Sequence, residues 1–244
     1  FEDAQHLILE SFSTQPALQA SARRLFVEGA IDAEVRPGKR SGSFCAPFGL
    51  KRTSRILTTF TGTLQSTAML AHELGHGWHA DVLYTVPMVR RLITPAFAET
   101  ASMYAQNLFN THARQQLTSP EQRLRLLDRQ LSEGVTMLMD MGARYDFERR
   151  CYALRRQGPL SASVLCDLMV TCQQDAMAGV LREWDPLLWA KKPHLYSART
   201  AFNNWGYTFG YLFSLAMMQR KVPVEDVLLR TGWQEAYTCL LYTS

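Results

Sequence analysis

The 244-residue sequence has no long hydrophobic run. None of its apolar stretches approaches the roughly 20 residues that would span a bilayer. The first residues, FEDAQH, also lack the positively charged and apolar regions of a secretory signal peptide. We therefore expect a globular protein without a membrane partner. Because Phe1 is not a natural start, we also expect the chain to be a fragment of a longer protein.

Cysteines are few, and neither positive nor negative charge predominates strongly. The five cysteines are an odd number and form no CxxC motif, which is typical of free thiols in a reducing compartment and favours the cytoplasm. The 26 Lys and Arg are scattered against 22 Asp and Glu, and no basic run is interleaved with aromatic residues. This pattern disfavours a nucleic-acid partner.

The periodicity that is present is mostly helical. Apolar residues recur at spacings of three and four between residues 16 and 28, which predicts a first helix there. The segments SFCAPF and RILTTFTG, rich in β-branched and aromatic residues, predict a pair of short strands. Further helices are predicted at about 65–85, 95–113, 119–142, 145–157, 161–182, 199–220 and 223–236, with an irregular stretch at WDPLLWAKKPHLYS. We expect a mainly α fold, with a small β-hairpin or sheet before the helix at 65–85, in one domain over residues 1–244.

Three of the six histidines fall in one hydrophobic segment, AMLAHELGHGWHADVL. His72 and His76 are four residues apart on a predicted helix, so their imidazoles share one face. With Glu73 they form H-E-x-x-H, in which two His bind Zn²⁺ and the Glu polarises the bound water and moves its proton. The alternative is a half-buried helix whose histidines satisfy hydrogen bonds in the core. Burying two imidazoles and a carboxylate without a metal would be costly, which disfavours that alternative.

A catalytic zinc needs a third protein ligand and leaves a fourth position for water. The metzincin pattern would require His at position 82, where this sequence has Val82. Asp81 is five residues past His76 and turns away from it if the helix continues. Glu99, in TPAFAETASMYAQNLF, is the next acid along the chain and has mostly apolar neighbours, where an unpaired carboxylate is expensive. A Glu on the exposed face of that helix remains the alternative.

The same helix carries a third histidine and two glycines. His79 lies three residues beyond His76, which fits packing beside the ligands better than direct coordination. Gly75 and Gly77 each cost helix propensity, roughly 1 kcal/mol against Ala. Their presence predicts that something packs closely against the backbone there.

Several ordered segments together resemble one family. The run RPGKRSGSFCAPF, ILTTFTGT, AMLAHELGHGWHADVL and PAFAETASMYAQNL is similar to the zinc-site core of the oligoendopeptidase F branch of the thimet oligopeptidase family. The similarity continues through FERRCYALRRQGPLS, KKPHLYS and NNWGYTFGYLFSLA. The resemblance implies a zincin-like helical catalytic domain and a channel closed by a second lobe. For this chain it implies a helix plus short strands at 1–64, the zinc-site helices at 65–113 and a helical substrate-side region at 114–244.

The resemblance also assigns roles at the metal. His72, His76 and Glu99 match the zinc ligands of the family, and Glu73 matches its general base. One Zn²⁺ per chain is expected.

Further residues match family positions that face the metal and stabilise the oxyanion. His194 in PHLY and Tyr207 in NWGYTFG fall on those positions, with Tyr211 as a third candidate, so all three are candidate substrate-binding residues. The other aromatics of this segment recur at helical spacing and are more typical of a core. The sequence departs from the family at Asn203, where a Tyr is usual, and at Gln106, where a Glu is usual. The Gln106 change could alter a hydrogen bond that orients a ligand.

These observations predict a zinc-dependent oligoendopeptidase that cleaves internal bonds of short unstructured peptides. The strand around GSFCAPF is the expected edge that holds the substrate backbone by β-addition. Two alternatives remain open. One is a catalytically silent zinc- or peptide-binding domain, since the fragment would lack the family's N-terminal lobe. The other is a structural helical domain whose histidines lie in the core.

Overall fold

The computed structural model describes residues 1–40, 42–91, 93–195, 201–220 and 222–230. Most of them are helical, in the order α1 (Glu2–Ser11), α2 (Pro16–Val27), α3 (Leu64–Leu83), α4 (Pro95–Gln116), α5 (Pro120–Val135), α6 (Met141–Arg155), α7 (Ala162–Ala176), α8 (Leu188–Lys191), α9 (Asn204–Arg220) and α10 (Val224–Leu229). The strands β1 (Ile31–Asp32), β2 (Phe44–Phe48) and β3 (Thr53–Leu57) form one small sheet. The prediction of a mainly α fold with a sheet before the histidine-bearing helix is confirmed.

The chain divides into two compact units. The first comprises residues 1–123 and the described residues from Gly210 onward, and the second comprises residues 124–209. In the first unit α3 packs most extensively against α4, and α2 and the sheet cover other faces of α3. The second unit has its own core between α6 and α7, made of Ala143, Phe147, Met169 and Cys172. A single catalytic domain over residues 1–244 stays a prediction.

Helix α1 was missing from the sequence prediction. Ala4, Ile8 and Phe12 recur at a spacing of four and are all buried, with Ile8 and Phe12 fully inaccessible. This spacing is a helical signal that the sequence contained. The two-residue strand β1 was also not predicted, because so short a segment carries no periodicity.

Some predicted helix boundaries were wrong. Helix α9 begins at Asn204 instead of about 199, because residues 201–203 form a turn. The break expected between residues 142 and 145 is replaced by a π-helical turn, Thr136–Asp140, so helical backbone continues from α5 into α6. Helix α7 ends at Ala176 instead of 182, because Ala178 and Gly179 adopt positive φ angles of 49° and 69°. Residues 231–236 of the last predicted helix lie outside the described residues.

The sheet leaves β2 at an edge. Its strand order is β1-β3-β2, with β1 parallel and β2 antiparallel to β3. The N–H of Ile56 donates to the carbonyl of Ala30 on the β1 side, so Cys45, opposite Ile56 on β2, directs its own N–H and C=O outward. The backbone of Pro47, two residues further along β2, also faces away from β3. The N–H that proline lacks is therefore not needed for the hydrogen bonds between β2 and β3. No strand of the described residues pairs with this outer edge.

Helix α3 is fixed in place at both ends. At its start, Thr63 and Ser66 form a capping box in which each side chain accepts from the other's backbone N–H at 3.1 Å. Near its end, Asp81 accepts two hydrogen bonds from Arg24 at 2.8 and 2.7 Å and one from Ser21 at 2.6 Å. Asp81 therefore ties α3 to α2, in keeping with its exclusion as a ligand.

The close packing predicted at the α3 glycines is confirmed. A Cβ on Gly75 would lie 2.7 Å from the Ala101 carbonyl oxygen and from the Ser102 Cα on α4. A Cβ on Gly77 would lie 2.8 Å from Cδ1 of Leu25 on α2. The two glycines thus allow both neighbouring helices to approach the backbone of α3.

The thiols that the structure describes are unpaired. Cys45, Cys151, Cys166 and Cys172 form no disulfide, which confirms the sequence prediction for these four. Cys239 lies outside the described residues.

Candidate metal centre

The histidines of α3 converge with the glutamate of α4. Nε2 of His72 lies 3.4 Å and Nε2 of His76 lies 3.9 Å from the same oxygen, Oε2 of Glu99. One ligand atom from each of the three residues lies within 4.8 Å of the others. The side chains are between 12% and 21% exposed, so solvent reaches them. In the described part of the chain this is the one group of three or more His, Cys, Asp or Glu residues that could hold a metal ion.

The local electrostatics suit a cation held by these three groups. Burial raises the pKa of Glu99, but the hydrogen bond from His72 and the charges of His76 and His72 outweigh it and lower that pKa. Burial lowers the pKa of His76 to about 4. His76 is therefore neutral at pH 7 and offers a lone pair, and Glu99 is ionised, as metal ligands must be.

His72 is oriented by a residue on α4. Its Nδ1–H donates to Oε1 of Gln106 at 3.0 Å, so Nε2 is directed toward Glu99. Burial lowers the pKa of His72, but the hydrogen bond to Glu99 and the charge of Glu99 outweigh it and raise that pKa, so a metal ion at Nε2 would replace a proton. Ser102 donates to the backbone carbonyl of Glu99 at 2.9 Å and lies 3.4 Å from its Oε2. Sequence reasoning identified Gln106 as a departure near a ligand, but gave no sign of Ser102.

Glu73 lies beside this group and is itself buried. Only 3% of the residue is exposed, and its Oε2 has no hydrogen-bond partner among the described residues. Burial raises its pKa to about 7, with the charge of His72 lowering it and that of Glu99 raising it. A buried carboxylate oxygen without a partner indicates that the site is built to receive one, such as water or a metal-bound ligand. The residues present therefore fit a metal centre.

His79 does not join the cluster. It is 1% exposed, and burial together with the charge of His76 lowers its pKa to about 3, while a hydrogen bond with the backbone of Leu228 raises it. This position in the core agrees with the packing role expected for it.

The three candidate oxyanion donors fall in different parts of the chain. In the second unit, His194 lies in the turn Pro193–Leu195 and its ring centroid is 6.3 Å from that of Tyr207 on α9. Tyr211 lies one turn further along α9, in the first unit. The structure thus brings His194 and Tyr207 together, and the roles of all three residues stay predictions.

The aromatic residues around Tyr207 are only partly a core. Phe213 packs edge-on against Phe97 with centroids 6.5 Å apart, as a core residue would. Trp205 is 46% exposed, so its expected place in the core was wrong. The exposed position follows from helix geometry, because Trp205 neighbours the fully buried Asn204 and points to another side of α9.

Comparison with known proteins adds the family. The sequence profile of peptidase family M3 matches residues 19–242. The chain is 24% identical over 195 residues to the chromosomal oligoendopeptidase F of Lactococcus lactis subsp. cremoris, covering 78% of this chain and 31% of that protein. It is 23% identical over 177 residues to the group B oligopeptidase PepB of Streptococcus agalactiae serotype III (strain NEM316), covering 71% of this chain and 29% of that protein. The chain therefore spans about a third of the length of the curated relatives that it matches.

A solved structure shares the fold. PZ peptidase A, in complex with an inhibitor, superimposes with a TM-score of 0.75 at 20% identity over 97% of this chain and 44% of that one. No helix in the described ranges is both long and apolar enough to cross a membrane. A cytoplasmic location and the absence of a nucleic-acid partner stay predictions. Since the family profile extends over most of the chain, this protein belongs to peptidase family M3.

Proposed function

We propose that the chain carries the catalytic site of a zinc-dependent oligoendopeptidase, which hydrolyses internal bonds of short, unstructured peptides. One observation carries the proposal: ligand atoms of His72, His76 and Glu99, from two adjacent helices, lie within 4.8 Å of one another. The names of the relatives, an oligoendopeptidase and an oligopeptidase, support peptides as the substrate class.

The proposed cofactor is one Zn²⁺ per chain. Two imidazoles and a carboxylate are a donor set of catalytic zinc sites, which keep a further position for water. His72, His76 and Glu99 would hold the ion, and Gln106 would keep Nε2 of His72 directed at it. When bound, the ion lowers the pKa of water and polarises the carbonyl of the scissile bond.

Glu73 is the proposed general base. Burial raises the pKa of this carboxyl group to about 7 in the metal-free protein, and a nearby zinc ion would favour its ionised, proton-accepting form. Glu73 takes a proton from the attacking water through its unpartnered oxygen and gives it to the nitrogen of the departing amine. The peptide C–N bond then breaks as the water oxygen forms the new carboxylate.

The outer edge of β2 is the proposed binding site for the substrate backbone. It offers the N–H and C=O of Cys45 and the C=O of Pro47, which match an added extended strand. The pKa of the Cys45 thiol is raised to about 12 by burial, and the charge of Glu73 contributes to this shift. A Cβ on Gly77 of α3 would lie 3.9 Å from Sγ of Cys45, so β2 packs on the helix that carries the proposed base.

Three further residues are proposed to bind substrate and stabilise the oxyanion. Tyr207 and His194, whose rings are neighbours, and Tyr211 are assigned this role from the family resemblance. Loss of one such donor typically lowers kcat by about 10²–10³. A Tyr207→Phe variant, which removes only the hydroxyl, should therefore lose turnover and still bind zinc.

Metal analysis and cleavage of a quenched fluorescent peptide test the proposal together. Wild type, Glu73→Gln and the exposed control Glu34→Gln should each carry close to one zinc per chain. Wild type and Glu34→Gln should cleave the peptide, whereas Glu73→Gln should be nearly inactive. Wild type without zinc would contradict the proposal and favour the structural domain. Zinc without cleavage would instead select the silent zinc- or peptide-binding domain.

A further inference from the structure

Gly210 lies where α9 meets α4 at Glu99. A Cβ built on Gly210 would be 2.7 Å from Cβ of Glu99, 2.9 Å from its carbonyl carbon and 3.1 Å from the backbone N of Thr100. Real Cβ atoms essentially never approach other heavy atoms within 3.0 Å. The atoms in the way are backbone and Cβ, which cannot rotate aside. A side chain at position 210 would therefore have to displace one of the two helices.

Close to Glu99, helix α4 is also packed tightly on a second side, against α3. A Cβ on Gly75 of α3 would lie 2.7 Å from the backbone of Ala101 and Ser102. Thr100, Ala101 and Ser102 are fully buried. The α4 backbone from Glu99 to Ser102 therefore packs directly against α9 at Gly210 and against α3 at Gly75. It has no free space to move into at these two contacts.

The position of the α4 backbone determines where the carboxylate of Glu99 lies. Its Oε2 lies 3.4 Å from Nε2 of His72 and 3.9 Å from Nε2 of His76. Zinc takes oxygen and nitrogen ligands at about 2.0–2.2 Å, and functional groups must be held within about 0.5 Å of the productive geometry. Ordinary contacts of a Cβ begin at 3.4 Å, so relieving the 2.7 Å approach at Gly210 would take a shift of about 0.7 Å, which exceeds that tolerance.

We propose that Gly210 is a positioning residue of the metal centre, because the lack of a side chain at this position sets where Glu99 lies relative to His72 and His76. The inference rests on the proposed function for its link to zinc. Its geometric content, the placement of Glu99, can be measured without metal.

The test compares Gly210→Ala with Gly142→Ala. Gly142 is also a helical glycine, but a Cβ there meets nothing within 4 Å, so it controls for the change in helix propensity. Zinc affinity is measured by competition with a chelator, at a temperature where circular dichroism shows both variants folded. We expect Gly210→Ala to bind zinc about 10-fold or more weakly, as seen when groups that orient ligands are altered, and Gly142→Ala to match wild type. Wild-type affinity in Gly210→Ala would overturn the inference.

Two readouts separate positioning from simple loss of stability. The visible absorption spectrum of the cobalt-loaded protein, which reports ligand geometry, should change in Gly210→Ala and not in Gly142→Ala. A crystal structure of metal-free Gly210→Ala should show Glu99 Oε2 farther from His72 Nε2 than the 3.4 Å of the unaltered chain. An unmoved Glu99 would overturn the inference.

The outcomes for zinc and for Glu99 are distinguishable. If wild type takes up no zinc, the proposed function fails, while displacement of Glu99 in the variant still decides the positioning role. If Gly210→Ala does not fold, nuclear magnetic resonance of the wild type tests the contact on which the positioning role depends. A nuclear Overhauser effect between the Gly210 Hα and Glu99 Hβ protons supports the contact, and its absence refutes it.

Discussion

Glu73 is a titratable residue whose burial in the folded chain disfavours its ionised form. Burial raises its pKa from 4.5 to about 7. In the unfolded chain the carboxyl group ionises near 4.5, so above that pH the unfolded state binds fewer protons than the folded state. The folded metal-free protein is therefore destabilised progressively from about pH 4.5 to pH 7. One pKa unit corresponds to about 1.4 kcal/mol, so the penalty at pH 8 is about 3 kcal/mol.

We predict that Glu73→Gln stabilises the metal-free protein at pH 8 by about 1–3 kcal/mol and has little effect near pH 4. The amide keeps the shape of the side chain and removes the charge. Urea unfolding of both proteins in the presence of a chelator, at the two pH values, measures the difference. A variant less stable than wild type at pH 8 would show that the buried carboxylate is not penalised.

A second prediction for a single residue concerns Gln106, which accepts a hydrogen bond from Nδ1–H of His72 at 3.0 Å. Gln106→Leu removes that acceptor and should lower zinc affinity about 10- to 100-fold. Gln106→Glu, which restores the residue usual in the family, keeps an acceptor and should bind zinc at least as tightly as wild type. Chelator competition measures all three proteins. Equal affinity of Gln106→Leu and wild type would mean that the contact does not orient His72.

At the scale of elements, the packing of α3 on α4 depends on Gly75. Gly75→Ala gains helix propensity of about 1 kcal/mol but places a Cβ within 2.9 Å of Ala105 Cβ and still closer to the backbone of α4. Overpacking of this kind costs about 1–3 kcal/mol. We therefore expect Gly75→Ala to lower the unfolding midpoint in urea, whereas Gly142→Ala, in open space, raises it. A stabilised Gly75→Ala would show that the two helices are not in close contact.

The open edge of β2 gives a second prediction for an element. By the strand alternation that directs Cys45 outward, the N–H of Ser43 also faces the edge, so Ser43→Pro removes an outward donor and spares the β2–β3 ladder. Ser43→Ala is the matched control, because the hydroxyl of Ser43 also contacts Thr58 at 2.8 Å. In a Glu73→Gln background, where peptide is not cleaved, Ser43→Pro should bind peptide about five- to ten-fold more weakly than Ser43→Ala. Equal binding would argue against β-addition at this edge.

At the scale of the whole molecule, the sequence predicted what depends on local spacing. The pairing of His72 with His76 follows from the helical repeat, and the amphipathic stripes predicted most of the helices. Glu99 could be selected only by setting aside other ligands and by the family resemblance, because its approach to the histidines depends on how α4 packs on α3. The contact of Gly210 with Glu99 joins residues more than 100 positions apart, and no spacing rule connects them.

The misplaced break between α5 and α6 has the same physical origin. The π-helical turn at Thr136–Asp140 has no signature in the hydrophobic pattern, so the helix was divided a few residues later. A carbonyl in this turn, that of Met137, accepts a hydrogen bond from Thr208 at 2.5 Å, a tertiary contact within the second unit. Tertiary contacts of this kind decide details that local propensity leaves open.

The central claim is that His72, His76 and Glu99 hold one zinc ion. Anomalous diffraction collected on either side of the zinc absorption edge, from crystals of this chain grown without added metal, tests it most directly. The account predicts a single strong peak bonded to Nε2 of both histidines and to the carboxylate of Glu99. A zinc peak held by other residues, or zinc-replete crystals with no peak between these three side chains, would contradict it.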